Sequence, residues 1–301
     1  MSQPSPSHAA HHHVGRGIAF MCTAALVLPF LNAGAKLLGG EYPIVEIVWA
    51  RYAGHLLCMM LVFMPRRGLR LFATRRPGLH VVRSALLLAS TLCYFTALRY
   101  ISLPTAAAIN FTSPIIVTLL AIPMLGEQVG WRRMTAVGFG FLGALVIIRP
   151  GTDAVHPAAV LVLGSASAYA LYQVLTRRAA ATDPADTSVT WTAVVGTLGA
   201  SLVLPWHWET PHTATHAAIL ASLGAVAGLG HYFVVKAFQH APASIVSPFS
   251  YAQLLGAAVL GFAIFGQLPD VWVWVGAAMI VAAGLYITYR ERVRASERVR
   301  S

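Results

Sequence analysis

The chain has 301 residues, of which 57% are hydrophobic and only 10% charged, and its mean hydropathy is +0.68. A soluble domain carries roughly a quarter charged residues, so this composition excludes an ordinary water-soluble fold and implies an all-α polytopic membrane protein. The net charge of +11 does not describe a nucleic-acid face, because the basic residues sit in short blocks between apolar runs.

Residues 1–16 are polar and read as a disordered tail, with a histidine tract that is solvated more simply than it is metal-bound. The apolar run that follows is too long for a signal-peptide core and has no obvious cleavage site, so it reads as a retained first span. A span needs about 20 apolar residues. Ten candidates follow in order: 17–38, 43–64, 80–100, 103–125, 132–149, 157–177, 188–206, 216–237, 243–265 and 271–289. A basic tail, 290–301, closes the chain. Cys22, Cys58 and Cys93 lie inside apolar runs without metal-ligand spacing, as small buried residues do. No cofactor or resident metal is expected, and no GxxxxGK[ST] phosphate loop occurs.

The basic residues set an expected orientation. With the N-terminus cytoplasmic, Arg16, Arg66, Arg67, Arg70, Arg75, Arg76, Arg83, Arg132, Arg133, Arg177, Arg178 and Lys236 fall on the inner side, as does the arginine-rich tail. The outer side keeps Lys36, Arg99 and Arg149, while Arg51 lies within a span. Both termini are therefore expected in the cytoplasm, with Trp206, Trp208, Trp272 and Trp274 at the outer interface.

Two stretches resemble each other at a shift of about 140 residues, 103–130 and 243–270. Asn110 falls on Ser250, Phe111 on Tyr251 and Gly126 on Gly266. Both are helix-length apolar runs with a polar, proline-containing first half. Interrupted hydrophobic segments at matching places in two halves point to a transporter's binding site. Ten spans divide into two five-helix repeats, 17–150 and 157–289. Because five is odd, the second repeat must be inverted, which places Glu127 and its counterpart Gln267 at opposite faces.

These residues carry a family resemblance. Ala97-Leu98-Arg99-Tyr100 leads into an alanine-rich span ending Leu125-Gly126-Glu127. Lys36 follows Asn32, Arg51-Tyr52 lies in the second span, and Gly143 precedes Val146-Ile147-Ile148-Arg149-Pro150-Gly151. The chain from Gly17 to Tyr289 resembles the EamA domain of the drug/metabolite transporter superfamily. Gln267 departs from a common glutamate. The resemblance implies a bacterial inner-membrane carrier working by alternating access, among whose relatives are amino-acid exporters and importers of S-adenosylmethionine and riboflavin.

Ionisable groups inside spans are functional candidates by default. Arg51 lies about 10 Å into its span at helical rise, and His55 shares its face one turn on. Arg51 either attracts an anion into a cavity or is tied to Glu46 or to backbone carbonyls. Glu46 reads as a wet residue near a helix end, and Arg83 and Lys236 as side chains that snorkel to the headgroups. His231 either bonds cargo or is satisfied by a neighbouring helix. The uncharged candidates are Asn32 with its counterpart Gln173, Asn110 with Ser250, and Tyr94, Tyr169, Tyr251 and Gln253. Each serves equally well as interhelical glue worth about 0.6 kcal/mol.

The leading expectation is a secondary carrier for an amino acid or another carboxylate-bearing or zwitterionic solute. The alternative is uptake of a larger metabolite such as S-adenosylmethionine or riboflavin. The partners expected are the small molecule and the bilayer, with a second copy of the chain admissible. No span carries the HExxH, paired aspartates or Ser-His set that an embedded enzyme needs, and a channel is the remaining remote reading.

Overall fold

A computed structural model describes residues 6–125, 131–148, 156–241 and 246–300, and all their regular structure is helical. Glu127 and Arg149 lie outside the described residues. In chain order the helices are α1 (Pro6–Leu38), α2 (Ile44–Arg67), α3 (Pro77–Leu98), α4 (Leu103–Asn110), α5 (Ser113–Leu125), α6 (Trp131–Ile148), α7 (Ala159–Ala180), α8 (Ala185–Ser201), α9 (Ala214–His240), α10 (Gln253–Phe265) and α11 (Val271–Arg300). They make ten segments, because α4 and α5 share one and a 3-10 turn, Ser247–Ala252, runs into α10. Six stretches are long and apolar enough to cross a bilayer: 14–38, 44–72, 77–98, 103–120, 159–180 and 214–240. The first helix begins at Pro6 and the last continues to Arg300, so helix extends into both segments read as tails.

Both irregular segments sit where the sequence places them. Pro114 has no N–H to continue a helical ladder from α4. The chain therefore pauses at Phe111 and Thr112, with Thr112 N bonding Ile109 O at 3.1 Å, before α5 begins. Local chemistry sets other ends. Ser102 caps α4 by accepting from Thr105 N at 3.2 Å, and Thr213 caps α9 by accepting from His216 N at 3.1 Å. Gly266 ends α10 at φ 62°, a left-handed conformation that glycine adopts without steric cost.

The repeat is visible in its contacts. Lys36 Nζ, in the last turn of α1, donates to Leu98 O at 2.7 Å and Ile101 O at 2.8 Å, closing the end of α3. At a shift of about 140 residues the same bond recurs, as Arg177 in the last turn of α7 donates to Phe238 O near the end of α9. The two bonds lie at opposite ends of the bundle. Phe20, midway along α1 and about 16 residues before Lys36, stacks on Phe233 with centroids 5.9 Å apart and meets His240 at 5.3 Å, so the end of α9 packs on α1 well away from Lys36. That arrangement is what inverted halves require. Lys36→Met and Arg177→Met should each lower stability by about 1.5–3 kcal/mol, the worth of a hydrogen bond from a charged donor. Thermal melts of purified protein should show similar losses for the two.

Small residues let the helices close on one another. Gly54 of α2 and Gly224 of α9 cross backbone to backbone, and Gly143 of α6 meets Gly276 of α11 in the same way. Trp131, Phe139, Phe141 and Leu142 on α6, with Trp272, Trp274 and Val275 on α11, are exposed large apolar groups suited to lipid contact.

Candidate functional site: a polar cavity between the halves

A cavity of about 650 Å³, counted out to its mouth, lies where α1, α2, α3, the α4–α5 break, α7, α9 and the start of α10 converge. α3 contributes a stripe at helical spacing, Leu87, Ser90, Thr91, Tyr94 and Phe95. α7 contributes Ser165, Tyr169 and Gln173. The α4–α5 break turns Asn110, Phe111, Ser113 and Pro114 inward, and Ser250 and Gln253 flank the second irregular segment. Leu28, Leu31 and Asn32 of α1, Arg51 of α2 and His231 of α9 complete the wall.

Among the described residues, Arg51 is the only lining side chain with a permanent charge. It is 2% exposed. Nη1 donates to Thr91 Oγ1 at 2.9 Å and Nη2 to His231 Nε2 at 2.8 Å, while the guanidinium lies 4.3 Å from the Tyr52 ring centre. Accepting from Arg51 leaves the His231 proton on Nδ1. Thr91 donates in turn to Leu87 O at 2.7 Å and accepts from Tyr52 at 3.2 Å. Among the described residues, no carboxylate lines the cavity. Arg51 Nε, His231 Nδ1 and Asn110 Oδ1 have no hydrogen-bond partner among the described residues. Buried polar groups are rarely left so, and these three atoms are among those the wall offers a bound molecule. Elsewhere the wall is tied. Ser90 and Ser165 exchange hydroxyl-to-carbonyl bonds of 3.0 and 2.9 Å between α3 and α7, and Gln173 Nε2 donates to Ser113 at 3.3 Å.

Of the residues expected at a site, Asn32, Arg51, Tyr94, Asn110, Tyr169, Gln173, His231, Ser250 and Gln253 meet at this cavity. His55 and Tyr251 do not line it. One turn past Arg51, His55 faces α9, where it fills the space above Gly228, fully buried and with neither ring nitrogen paired. Tyr251 lies behind the wall, edge-on to Phe111 with centroids 5.2 Å apart and its hydroxyl against Gly284. Ser90, Thr91, Ser113, Ser165, Phe95 and Phe111 were missed, although the hydroxyl-and-aromatic stripe on α3 repeats at helical spacing in the sequence.

Two other expectations, for Glu46 and Arg83, are corrected, and the choice left open at Arg51 narrows. Arg51 is tied to neither Glu46 nor a carbonyl. Glu46 is buried, not wet, and accepts from Glu209 N at 2.9 Å. Arg83 does not snorkel, for it is 0% exposed inside a hydrogen-bonded cluster between α3, α7 and α8. Lys236 lies 5.6 Å from the Tyr232 ring centre, outside the cavity wall.

Antiparallel apolar halves, interrupted helices at their junction and a polar chamber between them define a membrane transporter, not an enzyme. The chain belongs to the EamA-like transporter family, whose profile matches residues 15–149 and 156–289. It is similar to the riboflavin transporter of Vibrio cholerae serotype O1, with 29% identity over 93% of this chain and 95% of that one. It is also similar to the S-adenosylmethionine uptake transporter of Rickettsia prowazekii, with 25% identity over 92% of this chain and 93% of that one. A solved crystal structure shares the fold with a TM-score of 0.71, at 18% identity and over 92% of this chain and 98% of its own.

Proposed function

We propose that the protein is an uptake carrier for a metabolite of the riboflavin class, a flat uncharged heteroaromatic with a polyhydroxy chain. The observation that carries this reading is the composition of the cavity wall. Among the described residues it has the amides Asn32, Asn110, Gln173 and Gln253, several hydroxyls, the rings of Tyr94, Phe95, Phe111 and Tyr169, one guanidinium and no carboxylate. Ring faces suit stacking, while amides and hydroxyls suit ring carbonyls and a polyol. S-adenosylmethionine would bring its own carboxylate to Arg51 but also a sulfonium and an ammonium, and no carboxylate among the described lining residues offsets the added cations. The riboflavin transporter among its relatives supports the same choice.

Cargo binds near the midplane, and rocking of the two halves exposes it to each side in turn. The membrane is the bacterial inner membrane, and the end bearing Arg66, Arg67 and Arg178 faces the cytoplasm with both termini. Proteoliposomes holding the purified chain should take up riboflavin saturably, and unlabelled riboflavin should compete. Riboflavin flux equal to that of empty liposomes, with saturable uptake of S-adenosylmethionine or an amino acid instead, would overturn the reading.

A further inference from the structure

Away from the cavity, a second polar assembly lies between α3 and the α7–α8 turn. Arg83 Nη1 donates to Ser188 O at 2.9 Å and to His80 Nδ1 at 3.2 Å. Its Nε donates to Thr176 Oγ1 at 3.1 Å and its Nη2 to Tyr172 OH at 3.4 Å. Because His80 Nδ1 accepts, the imidazole proton is on Nε2, which donates to Asp183 Oδ2 at 3.2 Å. Trp191 stacks over His80 with centroids 5.9 Å apart. Asp183 is 7% exposed in the turn after α7, and Thr182 also donates to it at 3.0 Å. The row thus runs carboxylate, imidazole, guanidinium, phenol, from the bundle's end into its core. Tyr172 then meets His231 edge-on at 6.0 Å, and His231 holds Arg51 at the cavity.

We propose that the His80–Asp183 pair is a proton-binding site that couples transport to a proton gradient. As it stands, the row is neutral, with Asp183 anionic, His80 uncharged and Arg83 cationic. One proton taken from water at this end and bound by the Asp183 carboxylate brings the row to a charge of +1. Arg83 then loses the anion that offset it in a fully buried position, and the carboxylate becomes a weaker acceptor for His80. The bonds that weaken are those joining α3, in the first half, to α7 and α8, in the second. Proton occupancy therefore acts on the junction that must move in alternating access, and Tyr172 and His231 extend the effect to the cavity wall.

The charged and titratable groups facing the pair are Arg83 from α3 and Tyr172 from α7. Asp186, at the head of α8, is engaged by Arg67 of α2 at 3.0 Å. On α9, Gln239 Nε2 donates to Asp183 O at 3.3 Å, Lys236 leans on Tyr232, and His240 Nδ1 is 2.8 Å from Lys236 O. A static structural bridge would hold the helices alike at every pH.

The first test does not depend on the cargo. Infrared difference spectra of the purified full-length protein between neutral and acidic buffer should show a carboxylic-acid carbonyl band that is lost in Asp183→Asn and kept in Asp186→Asn. Should Asp183→Asn not fold, Asp183→Glu should shift the band. A band unchanged by the Asp183 variants, or no band at all, overturns the proposal. In proteoliposomes with an imposed pH gradient, Asp183→Asn and His80→Gln should lose concentrative riboflavin uptake and keep exchange across equal pH. Concentrative uptake undiminished in the variants also overturns it. Absence of any riboflavin flux in the unmodified protein counts against riboflavin as cargo, and the infrared result still decides the proton site.

Discussion

Arg51→Gln should lower riboflavin uptake by about 10- to 100-fold, the loss of one or two hydrogen bonds from a charged donor, without lowering the melting temperature. The two halves of this expectation have different origins. Arg51 Nε has no partner among the described residues and can donate to cargo, while its two Nη atoms hold Thr91 and His231 at the wall. The same guanidinium is a buried charge with no carboxylate among the described lining residues, so replacing it with a neutral amide relieves a desolvation cost. A structural arginine would behave in the opposite way, with stability falling first and flux falling as folded protein is lost. Uptake assays normalised to folded protein, beside melts of the same preparations, separate the two. Undiminished uptake would remove Arg51 from the site.

Gly224→Val should abolish recovery of folded protein, the largest effect expected of any single change here. A Cβ at Gly224 would fall on the backbone of Gly54 and His55, and backbone cannot turn aside as a flexible side chain can. α2 and α9 would have to separate, which removes His55 from its place against Gly228 and Arg51 from His231. Gly164→Val is the control, since nothing lies within 4 Å of that position. Size-exclusion profiles in detergent should show a monodisperse peak for the control and aggregate for Gly224→Val. A monodisperse Gly224→Val protein would mean that the crossing is looser than the structure shows.

Much of the frame was legible because the bilayer imposes it. Apolar length gives spans and an odd count per repeat forces inversion, while the prolines and polar residues at 110–114 and 247–253 mark the breaks. Cavity residues with a counterpart in the other half, such as Asn32 with Gln173 and Asn110 with Ser250, could be found by the repeat alone. Facing directions could not. His55 shares a helix face with Arg51, yet the cavity takes one and α9 the other, because one turn is enough to move past the wall. Arg83 was misread because distance from a helix end says how far a side chain must reach to meet water, but not whether a partner is nearer. Its partners Tyr172, Thr176 and Ser188 are about ninety to a hundred residues away in sequence and come together only through the packing of α3 on α7 and α8. The choice between the two expected cargo classes was not legible for a related reason. A lone arginine suggests an anion until the whole wall is known to be amides, hydroxyls and rings.

Phe111 and Tyr251, which correspond between the halves, touch each other. A residue meets its own counterpart only beside the axis that relates the two halves, so this ring pair marks where that axis passes, at the edge of the cavity wall.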